Sequence, residues 1–274
     1  MSRSYIVRWG AVTLGLALVA AGVLLAQQQF QPQVGQAGKD VVWVPTPQVL
    51  VEKMLDMAKV TPQDYLIDLG SGDGRTVISA AKRGLRALGI EYNPDMVDLS
   101  KRNASEAGVA EKATFLKADL FESDFSKATV ITMFLLPEIN LKLRPKLLAM
   151  KPGTRVVSNS FTMEDWTPDA TETVENGCSS WCTAYLWIIP AKVEGTWKLA
   201  RGELTLKQEF QMISGTLNVG VSKTPISGKL TGDQIRFTAG GTQYTGRAND
   251  NSMSGTVTKS GAAGGSWSAT RAAK

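Results

Sequence analysis

The 274-residue sequence contains no histidine and only two cysteines. The first absence removes Ser-His-Asp and Cys-His nucleophile systems, and with them every metal site built on imidazole. The cysteines, Cys178 and Cys182 in CSSWC, bring no partner ligands with them. A zinc site there lacks half its donors, and no metal is expected. Hydrophobic residues make up 43% of the chain and charged residues 20%, a globular balance that argues against disorder. The net charge of +5 is unevenly placed: residues 191–274 carry 11 Lys and Arg against 5 Asp and Glu, whereas residues 1–190 carry 19 against 20. The basic excess is spaced rather than clustered. It reads as a solvated sheet face and not as a nucleic-acid patch.

One long apolar run is present. Trp9 to Ala26 holds no charge, follows Arg3 and Arg8, and leads into a Gln/Gly-rich linker ending near Gly38. These are the parts of a secretory signal peptide. Leu24, two before Ala26, is larger than a cleavage site prefers, and the run is about long enough to span a bilayer, so an uncleaved anchor is the other reading. In either case the arginines favour an N-in orientation, which makes the rest periplasmic or inner-membrane anchored. A Cys178–Cys182 disulfide suits that compartment; two reduced, buried thiols are the alternative.

Residues 1–37 are thus leader or anchor plus linker. Over 38–191, helices and strands alternate. TPQVLVEKMLDMAKV places Val49, Leu50, Met54, Leu55 and Met57 at helical spacing. The pattern then predicts strand 65–69, helix 75–82, strand 87–91, helix 94–107 and strands 114–117 and 130–134. Helix 138–150 and strands 155–159 and 183–189 follow. Such alternation implies a mostly parallel sheet with helices on both faces, an α/β fold. From 192 to 274, short alternating strands separated by Gly, Asp and Asn turns predict a small antiparallel β domain, a barrel or a sandwich.

The chemistry concentrates in DLGSGDGR, residues 68–75. It is not a P-loop, which needs Gly-Lys-Ser/Thr at its end, and its third glycine comes one residue early for a dinucleotide fingerprint. What remains is an acid followed by glycines at alternate positions: Asp68, Gly70, Gly72 and Gly74, with Ser71 between. Such a loop lets backbone approach a ligand while the acid meets a cationic group. About twenty residues on, Glu91 ends the second strand, followed by Tyr92 and Asn93; an acid there accepts hydrogen bonds from ribose hydroxyls. Asp119 and Leu120, in ADL, close the third strand, where they suit an adenine amino group and ring. All of these sit at the carboxyl ends of adjacent strands, where open α/β sheets bind ligands.

Loop, acid and ADL together resemble the class I S-adenosylmethionine (SAM) dependent methyltransferases, over residues of about 45 to 190. The resemblance implies a Rossmann-like methyltransferase domain with SAM as cofactor. It places Asp68, Gly70 and Gly72 at the methionine end, Glu91 at the ribose and Asp119 at the adenine. DVVWVPTP, DLGSGDGR, ATVITMFLLPEINLKLRPKL and DWTP are similar to a narrower group, the mitochondrial protein-lysine methyltransferases that modify the ATP synthase c-ring protein and the adenine nucleotide translocase. They look closer still to bacterial relatives with an exported N-terminus and a C-terminal β domain.

The strand ATVITMFLL ends in Phe134-Leu135-Leu136-Pro137, where methyltransferases of amide or adenine nitrogens usually carry Asn/Asp-Pro-Pro-Tyr/Phe. Planar-amide and adenine acceptors are therefore not expected; the resemblance implies a protein lysine as acceptor, and no nucleic-acid partner is expected. Transfer from a sulfonium needs an aligned, neutral nucleophile, and apolar surroundings help an amine shed its proton. Trp43, Thr46, Tyr92, Phe134 and Leu135 are candidates for that mouth, with core packing as the plain alternative for Phe134 and Leu135. No general base stands out. Because SAM is made in the cytoplasm, an exported enzyme raises a supply problem. Three readings follow: an exported or anchored methyltransferase, an exported nucleoside-binding module that has lost activity, or an anchor whose catalytic domain stays inside. Intact acids at 68 and 91 favour the first. For the β domain, substrate recruitment, sealing of the pocket, membrane docking and simple stabilisation are all open.

Overall fold

The structure, a computed structural model, describes residues 30–259 and 261–272. The Trp9–Ala26 run lies outside them. Among the described residues no helix is long and apolar enough to cross a membrane.

A seven-stranded sheet is ordered β3-β2-β1-β4-β5-β7-β6. Its strands are β1 (Tyr65–Leu69), β2 (Arg86–Glu91), β3 (Ala113–Lys117), β4 (Val130–Met133), β5 (Arg155–Asn159), β6 (Ala170–Thr173) and β7 (Thr183–Ile188). The first five run parallel, and β7 pairs antiparallel with both β5 and β6. Leu66 to Leu69 and all of β4 are buried, as befits central strands covered on both faces. The covers are α1 (Gln48–Met57), α2 (Arg75–Lys82), α3 (Pro94–Glu106) and α4 (Pro137–Leu148). Leu50, Val51, Met54 and Leu55 of α1 join α2 residues such as Val77 and Ala80 in one core. Ile139, Leu143 and Leu147 of α4 join Phe125, Trp166 and Trp187 in the other. Two helices start on proline, Pro94 and Pro137, where a missing N–H costs nothing.

The chain leaves β1 toward β2 on one side and later returns to β4 on the other. The loops after β1 and β4 therefore diverge and open a crevice between them. At the opposite end of the sheet Arg155 clamps the strand starts together. It pairs with Asp64, which also accepts from Thr129 Oγ1 at 2.7 Å, and it donates to the Ala58 carbonyl at 2.9 Å.

Residues 195–271 form a closed eight-stranded barrel, the barrel alternative of the sequence expectation. Its strands are β8 (Gly195–Leu199), β9 (Gly202–Glu209), β10 (Met212–Val219), β11 (Ser222–Thr231), β12 (Gln234–Ala239), β13 (Thr242–Ala248), β14 (Ser252–Lys259) and β15 (Ala262–Arg271). Pairing of β15 with β8 closes it. Inward positions of alternating strands, among them Trp197, Leu204, Leu206, Phe237 and Trp267, fill the interior with side chains.

The barrel does not hang free. Trp166, of DWTP, is fully buried and donates its Nε1–H to Gln211 Oε1 at 2.8 Å. Gln211 returns its amide to the Thr167 carbonyl at 2.7 Å, and Phe210 stacks on the Trp166 ring with centroids 5.5 Å apart. Lys229 Nζ meets Asp169 Oδ1 at 2.8 Å beside this contact. DWTP thus serves as the seat of the barrel.

Candidate active site

The crevice holds a pocket between the glycine loop, the ends of β2 and β3, the loop after β4 and a folded-back stretch of the N-terminal linker. Asp68 lies at the end of β1, 6% exposed, and accepts from Thr132 Oγ1 on the neighbouring β4 at 2.6 Å. Burial, with Glu91 and Asp73 nearby, pushes its carboxyl up to about 7 against the stabilising hydroxyl of Thr132.

The loop after Asp68 turns because Gly70, Gly72 and Gly74 all take positive φ, 75°, 54° and 82°, which side chains other than glycine rarely adopt. Gly72 also lies under Trp43: a Cβ there would stand 2.6 Å from the indole nitrogen. Glu91, at the end of β2, accepts from the Gly72 N–H at 3.0 Å and from the Asn93 N–H at 2.9 Å. Asn93 in turn caps α3 through Asp95 N–H at 2.9 Å. One carboxylate therefore fixes both the glycine loop and the start of α3. Glu91 itself lines the same pocket.

Asp119 follows β3. Its Oδ1 accepts from the Phe121 N–H at 2.9 Å, and its Oδ2 pairs with Lys39. Hydrogen bonding to Lys39 and to that backbone N–H holds its carboxyl below the usual carboxylate range. Lys39 also lies over the exposed Tyr92 ring, 4.9 Å from its centroid. It sits at the tip of a turn in which Ala37 bridges Val42 and the Trp43 N–H reaches the Gln36 carbonyl. This turn lies beside Asp119, where the resemblance expects the adenine.

Asp68, Gly70, Ser71, Gly72, Glu91, Tyr92, Asn93, Asp119 and Leu120 all line this pocket, as do Trp43, Thr46, Phe134 and Leu135. Gly74 is the exception. It does not line the pocket but starts α2 with Phe115 at 2.8 Å and Ser100 at 2.9 Å from where a Cβ would stand; close packing, not ligand approach, requires glycine there. Thr46 lines the wall with its hydroxyl engaged, accepting from Asn159 Nδ2 at 3.2 Å. Lys39, Arg75, Phe161 and Trp181 also line the pocket and carried no sequence expectation. Arg75 braces the wall by pairing with Asp73 at 2.6 Å and donating to the Thr46 carbonyl at 2.9 Å. No residue of the barrel lines the pocket among those described, so the barrel does not seal it. Cys178 and Cys182 are joined by a disulfide.

The donor set fits SAM. Glu91 at the end of β2, Asp119 after β3 and the buried Asp68 on β1 all line the pocket. Ser71 Oγ is buried beside Gly89 with no hydrogen-bond partner. Glu91 would hold the ribose, Asp119 and Leu120 the adenine, and Asp68 the amino group of the methionine tail. When bound, the cofactor supplies an electrophilic methyl group; the protein's part is to align it and keep water away.

Fold and site thus define a Rossmann-like nucleoside-binding domain of the methyltransferase class. A family model, the ANTKMT methyltransferase domain, matches residues 68–170. A protein-lysine N-methyltransferase of Saccharolobus islandicus (strain REY15A) is 44% identical over 152 residues, covering 54% of this chain and 94% of that protein. The adenine nucleotide translocase lysine N-methyltransferase of Mus musculus is 34% identical over 166 residues, covering 57% and 68%. Among solved structures, an RNA methyltransferase from Salinibacter ruber in complex with S-adenosyl-L-homocysteine superposes with a TM-score of 0.52 at 49% identity, over 55% of this chain and 96% of that one. The chain belongs to the ANTKMT-type family of methyltransferases, and it is a SAM-dependent enzyme.

Proposed function

We propose that the chain is a protein-lysine N-methyltransferase, exported or anchored in the inner membrane, acting on a protein of the membrane or envelope. The observation that carries the acceptor is the end of β4. There Phe134 and Leu135, the latter 3% exposed, line the pocket that also holds Asp68 and Gly70, in place of the polar Asn/Asp-Pro-Pro-Tyr/Phe turn used for planar nitrogens. An apolar wall favours the neutral form of an entering amine, the form that attacks. The names of the relatives from Saccharolobus islandicus and Mus musculus agree with a lysine. Export is supported by the arginines ahead of the uncharged Trp9–Ala26 run and by the Cys178–Cys182 disulfide, a bond at home in an oxidising compartment. SAM must then reach the far side of the membrane from the cytoplasm.

The Salinibacter ruber neighbour is named for RNA, so the test offers both acceptors. The full chain is incubated with SAM labelled in its methyl group, total membrane protein and total RNA. Label recovered as methyl-lysine after acid hydrolysis supports the reading; label in RNA alone contradicts it. Compartment is tested separately with a C-terminal alkaline phosphatase fusion, which is active only outside the cytoplasm. An inactive but intact fusion would return the catalytic domain to the cytoplasmic face.

A further inference from the structure

Three aromatic side chains from three separate loops meet at one end of the pocket. Phe134 follows β4, Phe161 follows β5, and Trp181 precedes β7. Their ring centroids are 6.0 Å apart for Phe134–Phe161, 5.8 Å for Phe134–Trp181 and 5.4 Å for Phe161–Trp181. All three line the same pocket as Asp68 and Gly70. The cluster lies on the β4–β5–β7 side of Asp68, whereas Glu91 and Asp119 lie on the β2–β3 side. Nothing in a nucleoside with a polar tail calls for three rings on that far side.

The cluster is also costly to keep. Trp181 is 43% exposed and takes φ 58°, a left-handed conformation that bulky residues rarely adopt. The disulfide between Cys178 and Cys182 closes the short loop that carries it. The Cys182 carbonyl accepts from the Val174 N–H at 2.9 Å, which ties that loop to the sheet edge. Phe161 is held by its backbone: its carbonyl accepts from Ser158 Oγ at 2.7 Å and from Asn140 Nδ2 at 3.3 Å. A strained, exposed tryptophan fixed by a covalent loop marks a binding surface more than a packing element. Phe134 and Phe161 near-parallel and Trp181 tilted against both, in a pocket that also holds a buried carboxylate, suit a long aliphatic stem that ends in an amine, through apolar contact and cation–π attraction.

We infer that Phe134, Phe161 and Trp181 form the channel that receives the acceptor lysine, and that the Cys178–Cys182 bond fixes Trp181 as its outer wall. Trp181 and Phe161 are acceptor-binding residues; the two cysteines are positioning residues that act through Trp181. This assignment rests on the lysine reading above.

The test uses the full chain with two readouts. Binding of S-adenosyl-L-homocysteine by calorimetry reports the cofactor end and the integrity of the fold. Methyl-lysine formation reports the channel, with poly-L-lysine and detergent-solubilised membrane protein as probes. Trp181→Ala is expected to lower kcat/KM for the acceptor at least tenfold, mostly through KM, with cofactor affinity within twofold of the parent. Trp181→Phe should recover most of the loss. The double variant Cys178→Ser/Cys182→Ser, which leaves the ring in place but frees its loop, should fall between them. If the parent makes no methyl-lysine from either probe, the lysine reading fails and the channel with it. If the parent is active and Trp181→Ala matches it, the channel alone is overturned. A variant that loses cofactor binding together with transfer also counts against the assignment, because it would make Trp181 part of the fold and not of the acceptor path.

Discussion

The Gly72 N–H points at the Glu91 carboxylate from 3.0 Å, joining the loop after β1 to the end of β2. The second oxygen of Glu91 takes the Asn93 N–H, so the acid that would hold the ribose also sets the shape of the loop beside it. Glu91→Gln replaces one acceptor by an amide donor that faces a backbone N–H. A charge-assisted hydrogen bond from a ribose hydroxyl to Glu91 would contribute about 1.5–3 kcal/mol, so S-adenosyl-L-homocysteine should bind roughly ten- to a hundredfold more weakly. Calorimetry on the full chain measures this. Unchanged affinity would remove Glu91 from the ribose site.

Asp68 gives the pocket a pH dependence. Its carboxyl is pushed up to about 7 in the folded protein, from 3.8. A raised carboxyl favours the protonated folded state, so its contribution to stability is complete below pH 4 and is lost as pH rises through 7. The ligand-free protein should therefore lose thermal stability between about pH 4 and 7, and level off above that, relative to Asp68→Asn, which carries no charge to bury. Cofactor binding has the opposite sign. The ionised carboxylate is the form that meets the amino cation, so affinity should rise about tenfold per pH unit up to 7 and then level off. A flat affinity profile across that range would contradict the role given to Asp68.

Gly72 and Gly74, two residues apart, should answer differently to alanine. At Gly74 the added carbon meets Phe115 and Ser100 with φ at 82°, a left-handed and overpacked position worth roughly 2–5 kcal/mol together. Gly74→Ala should melt lower while binding cofactor within a few-fold of the parent below its melting point. At Gly72 the same carbon meets the Trp43 indole inside the pocket. Gly72→Ala should weaken binding by at least tenfold. Equal binding losses in both would show that the loop acts as one unit.

Much of this was legible in the residues because the signals were local. β1 and β5 occupy the positions expected from pattern alone, 65–69 and 155–159, since runs this short between turn residues leave no room for a helix. β6 was not expected: Ala170 to Thr173 is exposed throughout, and an edge strand with no buried face leaves no alternation to read. The acids of the site were legible through their spacing from the glycines. Phe161, Trp181 and Lys39 were not, because each reaches the pocket from a loop whose course is set by distant contacts. For Trp181 the spacing of the cysteines in CSSWC was the available clue, as it marks a loop closed on itself. Closure of the barrel depends on pairing Ala269 with Leu199, a relation between chain ends that no local pattern carries.

The seat of the barrel also makes a measurable claim. Gln211 is 4% exposed and satisfies both the Trp166 indole N–H and the Thr167 carbonyl. Gln211→Ala leaves the indole donor buried without a partner, which costs about 1–3 kcal/mol. At roughly 2–4 °C per kcal/mol for a chain of this size, the melting temperature should fall by about 2–12 °C. Calorimetric melting reads this directly, and a shift under 1 °C would show that the barrel does not depend on this contact.

The central claim is that this pocket moves a methyl group from SAM to a lysine amine. Its most direct test is mass spectrometry of acceptor peptides after the full chain has turned over SAM with a deuterated methyl group. The predicted result is the deuterated group on lysine ε-nitrogens, absent when Glu91→Ala replaces the parent. Cofactor binding with no deuterium on any lysine would contradict the claim, and would leave a nucleoside-binding protein or a methyltransferase with another acceptor.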